Sequence, residues 1–300
     1  LPGEGKLLIL DGDLARTDSI SFIAPPRTLT FGPDGASISV SVQLGPGEFA
    51  AVLVPRAGRF TAFSARFADS LENPRFSRDG RALYFLASGP HGGLSVLDLA
   101  TLTEQRRIEV CANPLELGAM RDGRRAFLLC AIGEVAEIDL ELGIVVKKQP
   151  LPSSCGAREL FLSSNETALV LWCAAAGKVL LLDRVTLAPF DSIAAEPGEA
   201  ILLPLQGGRP AGLIYADPPR WAAIDLGART LTATVPLEDT VLTAAVAPGG
   251  RFLYLAGERH LWRLDTDQAA IDRSVKLPGR PAGIALWPAA FETKLRWFLR

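Results

Sequence analysis

Hydrophobic and polar positions fall into one recurring phrase along nearly the whole chain. A short apolar strand leads to a tight polar turn, then an aliphatic or aromatic strand, a Gly-rich gap, and an aliphatic strand ending in Asp. The phrase is clearest where Phe76-Ser77-Arg78-Asp79-Gly80 leads into Ala82-Leu83-Tyr84-Phe85-Leu86, then Ser88-Gly89-Pro90, then Leu94-Ser95-Val96-Leu97-Asp98-Leu99. Its first turns fall at Asp34-Gly35, Asp79-Gly80, Asp122-Gly123, Asn165-Glu166, Gly207-Gly208 and Gly249-Gly250, in steps of 45, 43, 43, 42 and 42 residues. Asp-Gly and Gly-Gly tolerate the positive φ that tight hairpins demand, so the regular step marks one supersecondary unit repeated. Strand-ending aspartates keep the same beat at Asp98, Asp139, Asp183, Asp225 and Asp265. A carboxylate there can accept N–H bonds from the following turn, which is a structural role.

The two ends complete the pattern. Residues 281–288 match the first strand of a repeat, and residues 293–299 suit its second. At the other end, Lys6-Leu7-Leu8-Ile9-Leu10-Asp11-Gly12-Asp13 matches His260-Leu261-Trp262-Arg263-Leu264-Asp265-Thr266-Asp267, a third strand with its turn. Ser19-Ile20-Ser21-Phe22 supplies a fourth. Six whole repeats and two halves predict a single all-β domain over residues 1–300: a seven-bladed β-propeller of four-stranded antiparallel blades, its seventh blade closed by both termini. The expected blades run over about 24–67, 68–110, 111–152, 153–195, 196–236 and 237–278, with the seventh from 279–300 plus 1–23. Sealing the last gap with strands from both ends removes the exposed edges of an open ring. The first strand of each blade is expected to be innermost and buried on both faces, with Leu117, Leu160 and Leu202 set against small residues such as Gly118, Ala245 and Ala285.

Composition narrows the class. Apolar residues make up 48% of 300, enough for a sizeable core, yet no apolar stretch approaches the ~18 residues of a membrane helix. With 31 basic and 33 acidic residues well mixed, the chain has no field for drawing in nucleic acid. It begins Leu1-Pro2-Gly3 and has one methionine, Met120, which suggests either a removed signal peptide or trimming.

The repeat resembles the YVTN-type β-propeller repeat. The residues carrying the likeness are Gly32-Pro33-Asp34-Gly35, Ser77-Arg78-Asp79-Gly80 with Tyr84-Phe85-Leu86-Ala87 and Ser95-Val96-Leu97-Asp98, and Leu171-Trp172-Cys173 with Leu180-Leu181-Leu182-Asp183. The likeness covers essentially the whole chain. It departs at Val54-Pro55, where the Asp is expected, and in a degenerate fifth blade. The resemblance implies a bacterial or archaeal propeller that is secreted, periplasmic or at the surface, at times beside quinone- or haem-dependent redox systems. It implies no catalytic residues, because the pattern carries none.

The four cysteines give the best local signal. Cys111 and Cys155 lie 11 and 10 residues before their turns, and Cys130 and Cys173 each lie 8 after. They therefore share one rim of neighbouring blades. Disulfides Cys111–Cys130 and Cys155–Cys173 would explain the doubled pattern and imply an oxidising compartment. Each pair is offset from direct opposition, so a lead-in loop must fold over. Cross-blade pairing such as Cys130–Cys155, four buried thiols, or a zinc site remain open, although no close C-x-x-C pair favours zinc.

Other candidates are weaker. His91 and His260 share no motif and read as surface or strand-edge histidines. Asp11-Gly12-Asp13 with Asp18 resembles part of a calcium loop but lacks its closing Glu. No phosphate-binding, dinucleotide or nucleophile-elbow motif occurs. Lys294-Leu295-Arg296-Trp297-Phe298-Leu299-Arg300 alternates like a closing strand. Arg27, Arg75, Glu116, Arg158, Glu159, Glu199 and Arg280 stand where first strands begin, around one mouth of the expected channel. There they form either a solvated rim or a mixed charged funnel for a peptide or small anion.

The expectation is an exported, non-catalytic binding or scaffold propeller without metal or cofactor, monomeric by default, periplasmic or extracellular. It would engage a protein, a peptide segment or a ligand at one rim through Arg27, Arg75, Arg158, Glu199 and Arg280. The alternatives are a propeller lactonase or hydrolase, a subunit of a quinone-linked dehydrogenase, or an intracellular assembly platform.

Overall fold

A computed structural model describes residues 5–10, 13–22, 24, 26–31, 37–45, 48–55, 71–77, 79–101, 103–204, 211–247, 249–281 and 283–284. The described residues are all-β. β1 (Lys6–Leu10) and β2 (Arg16–Ser21) form a hairpin, and β3 (Pro26–Phe31), β4 (Ser37–Gly45) and β5 (Glu48–Pro55) a three-stranded meander. Five four-stranded antiparallel meanders follow. They are β6 (Leu71–Phe76) to β9 (Thr103–Glu109) through β7 (Ala82–Ala87) and β8 (Gly93–Asp98); β10 (Pro114–Ala119) to β13 (Ile144–Pro150) through β11 (Arg125–Cys130) and β12 (Glu134–Asp139); and β14 (Ala157–Leu162) to β17 (Pro189–Ala194) through β15 (Ala168–Cys173) and β16 (Lys178–Asp183). The last two are β18 (Ala200–Leu203) to β21 (Thr230–Pro236) through β19 (Ala211–Tyr215) and β20 (Arg220–Asp225), and β22 (Val241–Val246) to β25 (Ala270–Lys276) through β23 (Phe252–Gly257) and β24 (His260–Asp265). Among the described residues no helix is long and apolar enough to cross a membrane. The turns at Asp34-Gly35 and Gly207-Gly208 and the strand expected over 293–299 lie outside the described residues.

Period-two alternation divides each middle strand between two neighbouring sheets. Leu169, Leu171 and Cys173 pack with Phe127, Leu129 and Val135 of the preceding sheet. Val170 and Trp172 pack with Leu202, Leu213 and Tyr215 of the following one. Ile214 and Trp221 then meet Leu253, Leu255 and Trp262. Both faces of each such sheet are therefore apolar and covered.

The hairpins obey their turn chemistry. Gly80, Gly123 and Gly250 take φ of 69°, 72° and 73° at equivalent places, and Glu166 takes 57° where the other repeats have Gly. The strand-ending aspartates cap the next turn. Asp98 accepts from Ala100 and Thr101 N–H at 2.8 and 2.9 Å, Asp183 from Thr186 N–H at 2.7 Å, and Asp225 from Gly227 and Ala228 N–H at 2.8 Å. These bonds hold the carboxyls of Asp98 and Asp183 below the usual range.

The cysteines form the two in-sheet disulfides, Cys111–Cys130 and Cys155–Cys173, with Cα atoms 6.2 and 4.4 Å apart. The loops fold over as the offset required. Pro114 and Ala157 stand opposite Cys130 and Cys173, and Gly156 turns the chain at φ 55°.

The amino-terminal hairpin docks on the β22–β25 sheet. Leu14 is 4% exposed and packs on Ala256 and Leu261, with Leu10, Tyr254, Val275 and Ile284 around them. Polar contacts repeat a relation found between other neighbouring sheets. Arg106, Lys147 and Arg273 each lie eight residues after a strand-ending aspartate. Arg106 reaches the Glu141 carbonyl at 3.2 Å, and Lys147 the Val185 carbonyl at 3.4 Å, each in the third-strand turn of the next sheet. Arg273 reaches Asp13 at 3.8 Å in the same way. The hairpin's turn thus sits where the next sheet's turn sits elsewhere.

Replacing Leu14 by Ala empties that contact and should lower unfolding free energy by about 2–4 kcal/mol. A change under about 0.5 kcal/mol in urea titration would refute the docking. Converting Cys155 and Cys173 together to Ala frees an 18-residue separation and should lower stability by about 2–4 kcal/mol. The check is the shift in denaturation midpoint, compared with wild type in reductant.

Candidate functional site

The first strands do not close into a solid core. β6, β10, β14, β18 and β22 line one cavity of about 930 Å³. This corrects the expectation that first strands are buried on both faces: Ala119 is exposed, and β22 is only partly buried beyond Val241. The physical reason is radial. Sheets held apart by Trp, Phe and Leu along their middle strands cannot also meet at the axis.

Counting back six residues from each first turn gives Thr28, Asn73, Glu116, Glu159, Ile201 and Thr243. All of these except Thr28, whose side chain lies outside the described residues, line the cavity. One repeat position therefore forms a girdle near one mouth. It is polar on β6, β10 and β14 and aliphatic on β18. Next to it along the strands stand Leu117, Leu160, Leu202 and Leu242, and the lining also carries Ser163, Ser164, Glu166 and Arg121.

The polar arc has a defined arrangement. Asn73, at φ 53° in the irregular middle of β6, donates to the Glu116 carboxylate at 2.8 Å. Asn tolerates the left-handed region better than most residues. Arg75 donates to the other Glu116 oxygen at 3.4 Å. Glu159 is different. Among the described residues no hydrogen bond reaches its carboxyl, and its pKa is pushed up to about 8. Burial is the main cause, the Glu116 charge adds to it, and Arg75 opposes both. Glu159 therefore holds its proton at neutral pH. Toward the other end of the cavity, the strained Glu166 accepts from the Arg121 N–H at 2.6 Å.

The structure separates the sequence candidates. Arg75 is in the cavity with Glu116. Arg158 and Glu199 are exposed and outside the cavity lining, and Arg280 pairs with Glu258 at 3.6 Å on the surface. The Arg27 side chain lies outside the described residues, as do Asp11 and Gly12. His91 pairs with Glu109 at 3.0 Å and is exposed, and His260 stacks near Trp262 at 5.7 Å between ring centres; neither lines the cavity. Among the described residues no group of three or more His, Cys, Asp or Glu gathers as a metal would require. Sequence reading missed Asn73 and the contrast between the two glutamates. Aligning the repeats on their turns would have found the shared position.

Radially packed antiparallel meanders around a shared cavity define a β-propeller-like protein. No family model matches the chain, and no curated protein matches its sequence. Its fold is similar to the solved structure of Kuenenia stuttgartiensis Hydrazine Synthase, with a TM-score of 0.73 and 19% identity over 88% of this chain and 90% of that chain. Likeness at that identity speaks for the fold alone.

The raised proton affinity of Glu159 fixes the sign of a pH effect. The folded state binds this proton more tightly than the unfolded state does. Its contribution is fully present below the unfolded value near 4.5 and is lost as pH rises toward about 8. Stability of wild type should therefore fall relative to Glu159→Gln across pH 5–8 and run parallel above it. Denaturation midpoints of both proteins against pH test this; parallel curves throughout would refute it.

Proposed function

We propose that the chain is a seven-bladed propeller closed by its own two ends. It acts as an exported, non-catalytic binding and scaffold protein, engaging a ligand or a segment of another protein at the mouth formed by Asn73, Arg75, Glu116 and Glu159. The observation that carries this reading is the cavity of about 930 Å³: five first strands wall it, and Asn73, Arg75, Glu116 and Glu159 stand together in its lining. That volume, and a lining that sets aliphatic side chains beside polar ones, suit a binding site. Closure is supported by the amino-terminal hairpin, whose turn meets Arg273 as equivalent turns meet Arg106 and Lys147. Export to a periplasmic or extracellular space is supported by the two disulfides. Arg158, Glu199 and Arg280 are exposed and available to a larger partner around the mouth.

A propeller hydrolase or lactonase is the second reading, and one observation favours it. A carboxyl holding its proton at neutral pH, as Glu159 does, suits a general acid.

The test fills the channel. Ala119, exposed in the cavity, is changed to Trp, and Phe190, exposed on β17, to Ser as an outer control. Small cationic, anionic and neutral probes and short peptides are screened by ligand-observed NMR. Binders of wild type should be lost in Ala119→Trp and kept in Phe190→Ser. Binders indifferent to the filled channel, or no binder at all, would overturn the reading.

A further inference from the structure

The chemistry of the cavity narrows what it takes. Its lining carries two arginines, Arg75 and Arg121, against three carboxyl groups, Glu116, Glu159 and Glu166. Four of these groups answer one another: Arg75 donates to Glu116, and the Arg121 N–H and side chain both approach Glu166. Glu159 alone has no hydrogen-bonding partner among the described residues, and it is largely buried. An anion would meet two carboxyl groups and one guanidinium that is already engaged. A cation would meet Glu159, the one carboxyl of the lining that no hydrogen bond engages among the described residues, with Glu116 beside it. Beside that group the wall is aliphatic, with Leu117, Leu160 and Leu202.

We infer that the channel is a site for an amphipathic ammonium ligand, its cationic head between Glu159 and Glu116 and its apolar body along the aliphatic wall. This rests on the binding reading above and names its ligand class. An alkylammonium, or a lysine side chain presented by a peptide, has this chemistry. The exchange balances without any other reactant. The ligand enters as R–NH₃⁺, the Glu159 carboxyl gives its proton to solvent, and a charge-assisted hydrogen bond replaces the O–H bond. The charged groups facing Glu159 are Glu116 from β10 and Arg75 from β6. Ile201 and Leu202 face the cavity uncharged from β18, and Arg158 on its own strand is exposed outside it.

The experiment is isothermal titration of the whole chain with n-hexylammonium, n-hexanol and hexanoate at pH 6.5 and pH 9, in buffers of different ionisation enthalpy. The ammonium head stays charged at both, since alkylamines titrate near ~10. Hexylammonium should bind in preference to the other two. Its affinity should weaken by roughly tenfold per pH unit below about 8, with close to one proton released per ligand at pH 6.5 and almost none at pH 9. Glu159→Gln should abolish both the pH dependence and the proton release. If hexanol or hexanoate binds as well as hexylammonium, in a manner blocked by Ala119→Trp, the ammonium class falls while the channel-binding reading stands. If none of the three binds, the ammonium class falls, and the wider probe screen decides the channel reading separately. Hexylammonium binding that ignores pH in wild type overturns the proposal whether or not Glu159→Gln folds.

Discussion

Everything in this fold follows from sheets that are apolar on both faces. A strand such as β15, with Leu169 and Leu171 facing one neighbour and Val170 and Trp172 the other, has no face to give to water. Four-stranded meanders of this kind are stable only when flanked on both sides, and right-handed twist turns a row of them toward a ring. The same requirement explains why the first hairpin of the chain covers Ala256 and Leu261 of the β22–β25 sheet. Among the described residues, Leu10, Leu14 and Ile284 are what cover Ala256 and Leu261 from outside that sheet.

Sheets set side by side and spaced by large side chains leave a cavity along their first strands, and there the repeats are free to differ. Residues between sheets must fit two neighbours at once, so Leu, Val, Phe and Trp recur there. Residues facing the axis have no opposite partner to fit. Asn73, Glu116, Glu159, Ile201 and Thr243 occupy one repeat position yet range from amide and carboxyl to aliphatic and hydroxyl. A binding site can therefore be written into the girdle without rewriting the core, as expected when function is grafted onto a scaffold.

Much of the fold is legible in the sequence because backbone geometry dictates it. Asp79-Gly80 and Asp122-Gly123 mark turns since few other pairs accept positive φ, and Asp98 and Asp183 mark strand ends since their carboxylates cap the next turn. The doubled cysteine spacing allowed the in-sheet disulfides without excluding a cross-sheet pair, because the fold-over of the lead-in loops, at Gly156 for instance, is not a local propensity. The site was legible only in part. Arg75 and Glu116 were visible as charges where first strands begin, but whether a charge turns outward or down the axis depends on irregularities in strand register. Register shifts at the start of β14, between Ala157 and Glu159, and Arg158 is exposed while Glu159 faces the cavity. No turn signal or periodicity predicts that one-residue difference.

Glu159 is the residue the fold does not ask for. Ile201 shows that an aliphatic side chain is accepted at the same repeat position, and it would bring no desolvation penalty. Keeping a carboxyl there, with Glu116 on the first strand of the preceding sheet disfavouring its ionisation, works against stability above acidic pH. A group so placed tends to move apart from its like-charged neighbour or fill with water, unless the backbone on both sides is held. The two disulfides lie on these two sheets, each closing a loop that leads into the strand carrying one of the glutamates. Covalent closure of the loops that lead into β10 and β14 opposes that relaxation at the starts of both strands.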